Sequence, residues 1–214
     1  MSDTRDDALE HPTHDNASSS AAITNSDAPR YNIFTNYSVV IDHPLDEVFK
    51  VLGDADGMER VVRLSGLCSG FTLQTDKSDM ICTPGDAPLS ESSVRTIPAG
   101  QQFAPGGRLL PRRFFHLQEA IPIIFGLFNR KVNIYGTQTW DPEEKVALYE
   151  STAEMGVVIW KLRRFQEIED GEKKKTKVSE TIKGRAPALL QYIVQKQAVV
   201  SHRSHMDQYH ILFP

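Results

Sequence analysis

Four stretches of alternating hydrophobicity, Val132–Trp140, Val146–Thr152, Val157–Ile168 and Thr176–Lys183, follow one another with links of only a few residues. The links are turn-like: Asp141-Pro142-Glu143-Glu144, Ala153–Gly156 and Asp170-Gly171-Glu172. Parallel strands need a crossover of a dozen or more residues, so strands joined this closely form an antiparallel meander.

The segments on either side fit around that meander. In Tyr31–Asp42, Ile33, Tyr37, Val39 and Ile41 share one parity and predict a strand. His43-Pro44 breaks it. Pro44 suits the start of a helix, Asp46 and Glu47 place negative charge near its N-terminus, and Leu45, Val48, Phe49 and Leu52 recur at helical spacing up to Gly53. Asp54 opens a second short helix striped by Met58, Val61, Val62 and Leu64, closed by Ser65-Gly66. Leu67–Thr75 and Phe114–Ile124 predict two more strands, the latter interrupted by Pro122. Thr83–Pro111 stands apart, with five prolines and four glycines. A loop of that length in a compact domain is functional or disordered, and it is read as a lid or rim, with Val94–Ile97 as a possible extra strand. A long helix runs from Pro187 to about Leu212, because no breaker intervenes before Pro214; it spans about 38 Å.

Charge is unevenly placed. Residues 1–30 carry six acids and two bases, which accounts for the whole net charge of −4, and the body holds 22 of each sign. The first thirty residues bury too little apolar surface to offset their ordering entropy and read as a disordered acidic tail. The neutral body argues against a nucleic-acid surface or a polybasic membrane patch. Ala120–Phe128 is far short of a membrane span, no hydrophobic leader precedes Tyr31, and the chain reads as cytoplasmic. Cys68 and Cys82 form no framework. His202, His205 and His210 lack convergent metal spacing, so neither metal nor cofactor is expected.

The stretch Ser38-Val39-Val40-Ile41-Asp42-His43-Pro44-Leu45-Asp46-Glu47-Val48-Phe49-Lys50-Val51-Leu52, together with Lys177-Val178-Ser179-Glu180-Thr181-Ile182-Lys183-Gly184 feeding the terminal helix, resembles the START-like (Bet v1-like, polyketide cyclase/dehydrase) helix-grip superfamily. The resemblance covers Tyr31–Phe213. It implies an α+β domain over residues 31–214: a seven-stranded curved antiparallel sheet wrapped around a long C-terminal helix, with two short helices after the first strand. It also implies an apolar cavity that takes a hydrophobic small molecule. Members include lipid carriers, hormone receptors, polyketide cyclases and quinone-binding proteins. The oligomeric state is not legible.

Candidate site residues come from polar groups on apolar faces. On the terminal helix, Leu189, Leu190, Ile193, Val194, Val200, Ile211 and Leu212 share a broad face at 100° per residue, and Gln197, Ser201, Ser204 and Gln208 fall at its centre, with His205 at its edge. Either that half of the helix is wet, or these groups line a cavity. His202 projects away from this face. Glu150 follows Val146 and Leu148, and Glu180 sits between Val178 and Ile182; each is a cavity acid or base, or a rim partner of Arg163, Arg164 or Lys161. Glu119 follows the same logic. Tyr135 and Trp160 are taken as ligand-shaping aromatics. Phe125-Gly126-Leu127-Phe128 is read as an apolar turn, either portal, dimer contact or plug. Two functions follow. One is a cofactor-independent enzyme for cyclisation, dehydration or rearrangement of a polyketide- or terpenoid-like substrate, with Glu150, Glu180 and His205 moving protons. The other is a non-catalytic carrier of lipid, sterol or quinone; an interaction module using the tail and rim is a third.

Overall fold

The computed structural model describes residues 31–83, 85, 87–97, 108–123, 128–171 and 173–214. The acidic tail and the Phe125–Leu127 turn read from the sequence lie outside the described residues.

Seven strands form one antiparallel sheet: β1 (Ile33–Ile41), β2 (Cys68–Ile81), β3 (Leu110–Ile123), β4 (Phe128–Asp141), β5 (Val146–Ala153), β6 (Val157–Asp170) and β7 (Lys173–Arg185). Their spatial order is β1-β7-β6-β5-β4-β3-β2, so the meander runs unbroken from β2 to β7 and β1 closes onto its far side. β1 is followed by α1 (Leu45–Leu52), a 3₁₀ turn at Ala55–Gly57 and α2 (Met58–Arg63). Asp54 caps that turn by accepting from the Asp56 amide. β2 runs six residues further than its apolar pattern suggests. The polar stretch Asp76–Asp79 continues the strand through a register shift, and Asp79 pairs with Arg112 on β3.

The terminal helix α3 (Ala188–Met206) is shorter than expected, about 28 Å. It ends at Asp207, whose carboxylate accepts from Tyr37 Oη at 2.7 Å, and the chain tightens into a 3₁₀ turn at Tyr209–Leu212 that buries Tyr209. Its packing face also differs from the expected one. His202, Met206 and Tyr209 are buried, whereas Leu189 is 94% exposed and Ile193, Val200 and Ile211 are exposed. The apolar count along the helix misleads because the sheet beneath offers ionic partners rather than apolar ones at this point. Gln195, on the buried side, donates to Phe34 O at 2.8 Å and accepts from Phe34 N at 2.9 Å, covering the free backbone edge of β1.

Period-two alternation gives the sheet two buried faces. Ala147, Tyr149, Phe115, Trp140, Phe165 and Val178 face the helices, with Val48, Phe49, Leu52, Met58 and Val61 packed over them. Val146, Leu148, Trp160 and Leu162 face the opposite way and are covered by Leu89 and Val94. The described part of the Pro/Gly insert is therefore a pad on the outer face, not a lid over the helix side, and residues 92–97 pair with side chains rather than forming a strand. Gly136 permits close approach of the layers: a Cβ there would stand 2.5 Å from Phe115 Cζ and 2.7 Å from Glu150 O.

Candidate functional site

The two carboxylates singled out from strand parity end up on opposite faces of the sheet. Glu150 looks outward. Its carboxylate accepts from Ser93 Oγ at 2.5 Å, Val94 N at 2.8 Å and Arg95 N at 2.7 Å. Trp160 Nε1 donates to Ser92 O at 2.9 Å, and Arg112, held by Asp79, donates to Val94 O at 2.5 Å and Ile97 O at 2.9 Å. Three side chains thus satisfy the backbone polar groups of the pad, which no strand does. Glu150 and Trp160 anchor this segment, away from the helix side where the sequence places a cavity. Tyr135 also faces outward. It is 52% exposed and stacks on His116 with ring centroids 4.6 Å apart.

Glu180 looks inward, and it is fully buried. Register places it opposite Arg163, whose Nε donates to Glu180 Oε1. Tyr209 Oη donates to the same oxygen at 2.7 Å, and His202 Nε2 lies 2.8 Å from Oε2. Arg163 also donates to Leu52 O, to Tyr149 Oη at 3.1 Å and to Tyr209 Oη at 2.6 Å. Burial, the largest single influence, would raise Glu180, but Arg163, Lys161 and His202 together outweigh it and hold the carboxyl well below its ordinary range. Burial pushes the Tyr149 phenol up to about 12. The expected rim pair of Glu180 and Arg163 is thus a closed, buried knot, and His202, expected to point away, is one of its members.

Around the knot lies a second group of ionisable side chains that is not closed. Lys161, on the same parity of β6 as Arg163, retains 21% side-chain exposure. Its Nζ stands 3.9 Å from Glu180 Oε2 and 4.4 Å from the Tyr149 ring centre, and it has no hydrogen-bond acceptor among the described residues. Burial pulls this ammonium below the ordinary lysine value, opposed by Glu180 and assisted by Arg163. Glu119, half-buried on β3, has no hydrogen-bond or ion-pair partner among the described residues; burial raises it, with Lys161 opposing. His205 donates Nε2–H to Val61 O at 2.7 Å, because a carbonyl can only accept. Burial, then the Lys161 charge, lowers it to about 4. At neutral pH His205 is an uncharged ring presenting Nδ1 as an acceptor, with its one proton committed to Val61 O.

The helix residues expected as ligand contacts divide. Gln197 and Ser201 are half-buried and bond each other, Gln208 Nε2 donates to Ser204 O at 2.9 Å, and Ser204 is exposed. These four follow α3 on the flank between its buried side and its exposed side. Phe71, Leu73 and Leu117, partly buried, continue the inner face toward β2 and β3. Arg163, Lys161, Tyr149 and Tyr209 were not singled out as site residues. The available signal was the run Lys161, Arg163, Phe165, which sets two cations and an aromatic ring on one parity. Among the described residues, no group of three His, Cys, Asp or Glu is placed to hold a metal ion, and no helix is long and apolar enough to cross a membrane.

No family model matches the chain, and no curated protein matches it. Solved structures do. The Zhui aromatase/cyclase from Streptomyces sp. R1128 superposes with a TM-score of 0.51 at 11% identity, covering 84% of this chain and 92% of that one. The chain has the helix-grip fold. A protein from Thermus thermophilus superposes at 0.50 with 13% identity over 83% of this chain and 94% of the other. A conserved protein from Geobacillus kaustophilus superposes at 0.50 with 11% identity over 84% and 94%. In this helix-grip chain the grip is tied at its centre by the Glu180–Arg163–His202–Tyr209 knot, which joins β6 and β7 to α3 and the terminal turn.

Proposed function

We propose that this chain binds a hydrophobic small molecule between the inner face of the sheet and α3, and converts it by proton transfers alone. The reaction class is cyclisation, dehydration or a related rearrangement of a polyketide- or terpenoid-like substrate. One observation carries the reading: Lys161 and Glu119 are ionisable, half-buried and without hydrogen-bond partners among the described residues, on the face that also carries Phe71, Leu73 and Leu117. Ionisable groups without hydrogen bonds in such a place are costly unless a ligand uses them. The likeness in fold to an aromatase/cyclase supports the same reading.

The roles follow from the environments. Glu119, raised by burial, holds a proton near neutrality better than an ordinary carboxylate and serves as acid, then base. Lys161 supplies positive charge for an enolate or alkoxide oxygen. His205 Nδ1 accepts from a substrate hydroxyl. Gln197 and Ser201 orient the distal end, and the sheet wall folds the chain so that reacting carbons meet. The carrier reading has its own support. Glu180 is fully committed to the knot and His205 is uncharged, so two of the three acid–base residues expected from sequence are poor proton donors.

Native mass spectrometry of the purified protein, followed by turnover assays on whatever apolar molecule co-purifies, separates these. Glu119→Gln and Lys161→Met are expected to keep the ligand and lose conversion. If wild type holds the ligand tightly and never converts it, the chain is a carrier. If no apolar molecule binds, the cavity reading is wrong.

A further inference from the structure

The outer side of α3 is apolar and cationic together. At the helical repeat, Leu189, Tyr192, Ile193, Lys196, Val200 and Arg203 fall within roughly 100° of arc. All six are exposed, Leu189 by 94% and Tyr192 by 78%, on a side turned away from the buried His202 and Met206. A continuous exposed apolar stripe marks a docking surface, which scattered single residues do not. From Thr181 to Met206 the chain carries Lys183, Arg185, Lys196 and Arg203 and no Asp or Glu, so the stripe fits an anionic partner.

Such a partner begins beside the helix. Asn32 Nδ2 donates to Ala186 O and Asn32 Oδ1 accepts from Ala186 N, both at 2.9 Å, and Gln191 Nε2 donates to Asn32 O at 3.3 Å. Residues 1–30 therefore join the fold at the N-terminal end of α3. They carry a net charge of −4, with Leu9 and Ile23 among their few apolar groups. At about 3.3 Å per extended residue, some nine of them would cover the length of the helix. We infer that residues 1–30 dock along the exposed side of α3, their carboxylates on Lys196 and Arg203 and their apolar groups against Tyr192, Ile193 and Val200. Attachment next to the stripe gives the segment an effective concentration on the order of millimolar, so individually weak surface ion pairs are enough to hold it. A second copy fits less well. Lys196 lies midway between Leu189 and Arg203, and a two-fold pairing of antiparallel helices would set it against its own copy. A bilayer also fits less well, because polybasic docking takes about four to eight clustered cations and the stripe carries Lys196 and Arg203.

The test is zero-length carbodiimide coupling of the full chain at low salt, on an equimolar mixture of unlabelled and ¹⁵N-labelled protein, with the links mapped by peptide mass spectrometry. Amide links from Asp or Glu of residues 1–30 to Lys196 are expected about fivefold or more above those to Lys177, an exposed lysine of β7, and within single isotopic copies. In about 1 M NaCl the Lys196 yield should fall to the Lys177 level. Arg203→Glu and Tyr192→Ser change exposed positions and should each lower the Lys196 yield about twofold or more. Equal yields at Lys196 and Lys177, or a Lys196 yield that neither variant moves, overturns the docking. Links between isotopic copies would put a second copy on the stripe, and flotation of the wild-type protein with phosphatidylserine vesicles would put a bilayer there; either result overturns residues 1–30 as its occupant.

Discussion

Glu180→Gln is the sharpest probe of what holds this fold together. The substitution keeps size and shape, and removes the charge that three donors share. Arg163, fully buried, then keeps a positive charge opposite a neutral amide, while Tyr209 and His202 lose an ionised acceptor. Breaking a buried pair from one side costs about 3–5 kcal/mol, against about 5–15 kcal/mol for a whole domain. For a chain of this size that corresponds to a fall in Tm of roughly 6–20 °C, read by circular dichroism at pH 7. The double variant Arg163→Met, Glu180→Leu removes both charges and is expected to recover at least half of the loss. Because Glu180 is held below its ordinary value of 4.5, its stabilisation is fully present above that value and drains away as the pH falls below it. The gap between wild type and Glu180→Gln should therefore narrow in acid. A Tm within about 2 °C of wild type at neutral pH would refute the argument, since Arg163 would then have no need of its partner.

Three further outcomes follow from individual contacts. His205, lowered from 6.5 to about 4, binds a proton more readily unfolded than folded, so it contributes stability that is whole above pH 6.5 and lost progressively toward pH 4. In His205→Gln, urea denaturation across that interval should show a flatter pH dependence, and an unchanged slope would mean the ring is not desolvated. Glu150→Gln weakens the acceptor for Val94 N and Arg95 N, so hydrogen exchange at those two amides should accelerate about tenfold or more while ligand binding on the inner face is unaffected. Gly136→Ala forces a methyl into Phe115 and the Glu150 carbonyl and should cost about 1–3 kcal/mol by chemical denaturation; a neutral result would show that Phe115 can swing aside.

The sheet was legible because its signal is local. Alternation in β4 to β7 and turn chemistry between them depend on neighbours a few residues away; each predicted strand is found, β4, β6 and β7 running past their expected ends and β1 stopping short of its own. The face of α3 was not legible. Apolar spacing pointed to Leu189, Ile193 and Val200, yet the helix buries His202, Met206 and Tyr209, because what lies beneath is the Glu180–Arg163 pair. Pairing across more than twenty residues leaves no periodic trace. Parity correctly placed Glu150 among Val146 and Leu148, but parity says nothing of which layer covers that face, and here it is the Pro/Gly insert.

These misreadings share one physical cause, and it sharpens where function is to be sought. Sequence logic treats a polar group on an apolar face as a candidate for chemistry, because burying it alone is costly. The fold meets that cost for Glu150 with two amides and a hydroxyl, and for Glu180 with Arg163, Tyr209 and His202. Both are satisfied, and a satisfied group has little to offer a substrate. The same criterion applied after folding selects Lys161 and Glu119, which share the inner face with the knot but take no hydrogen bond from it. Two ionisable groups left without hydrogen bonds beside a closed network are where a polar group of a ligand would gain most by binding.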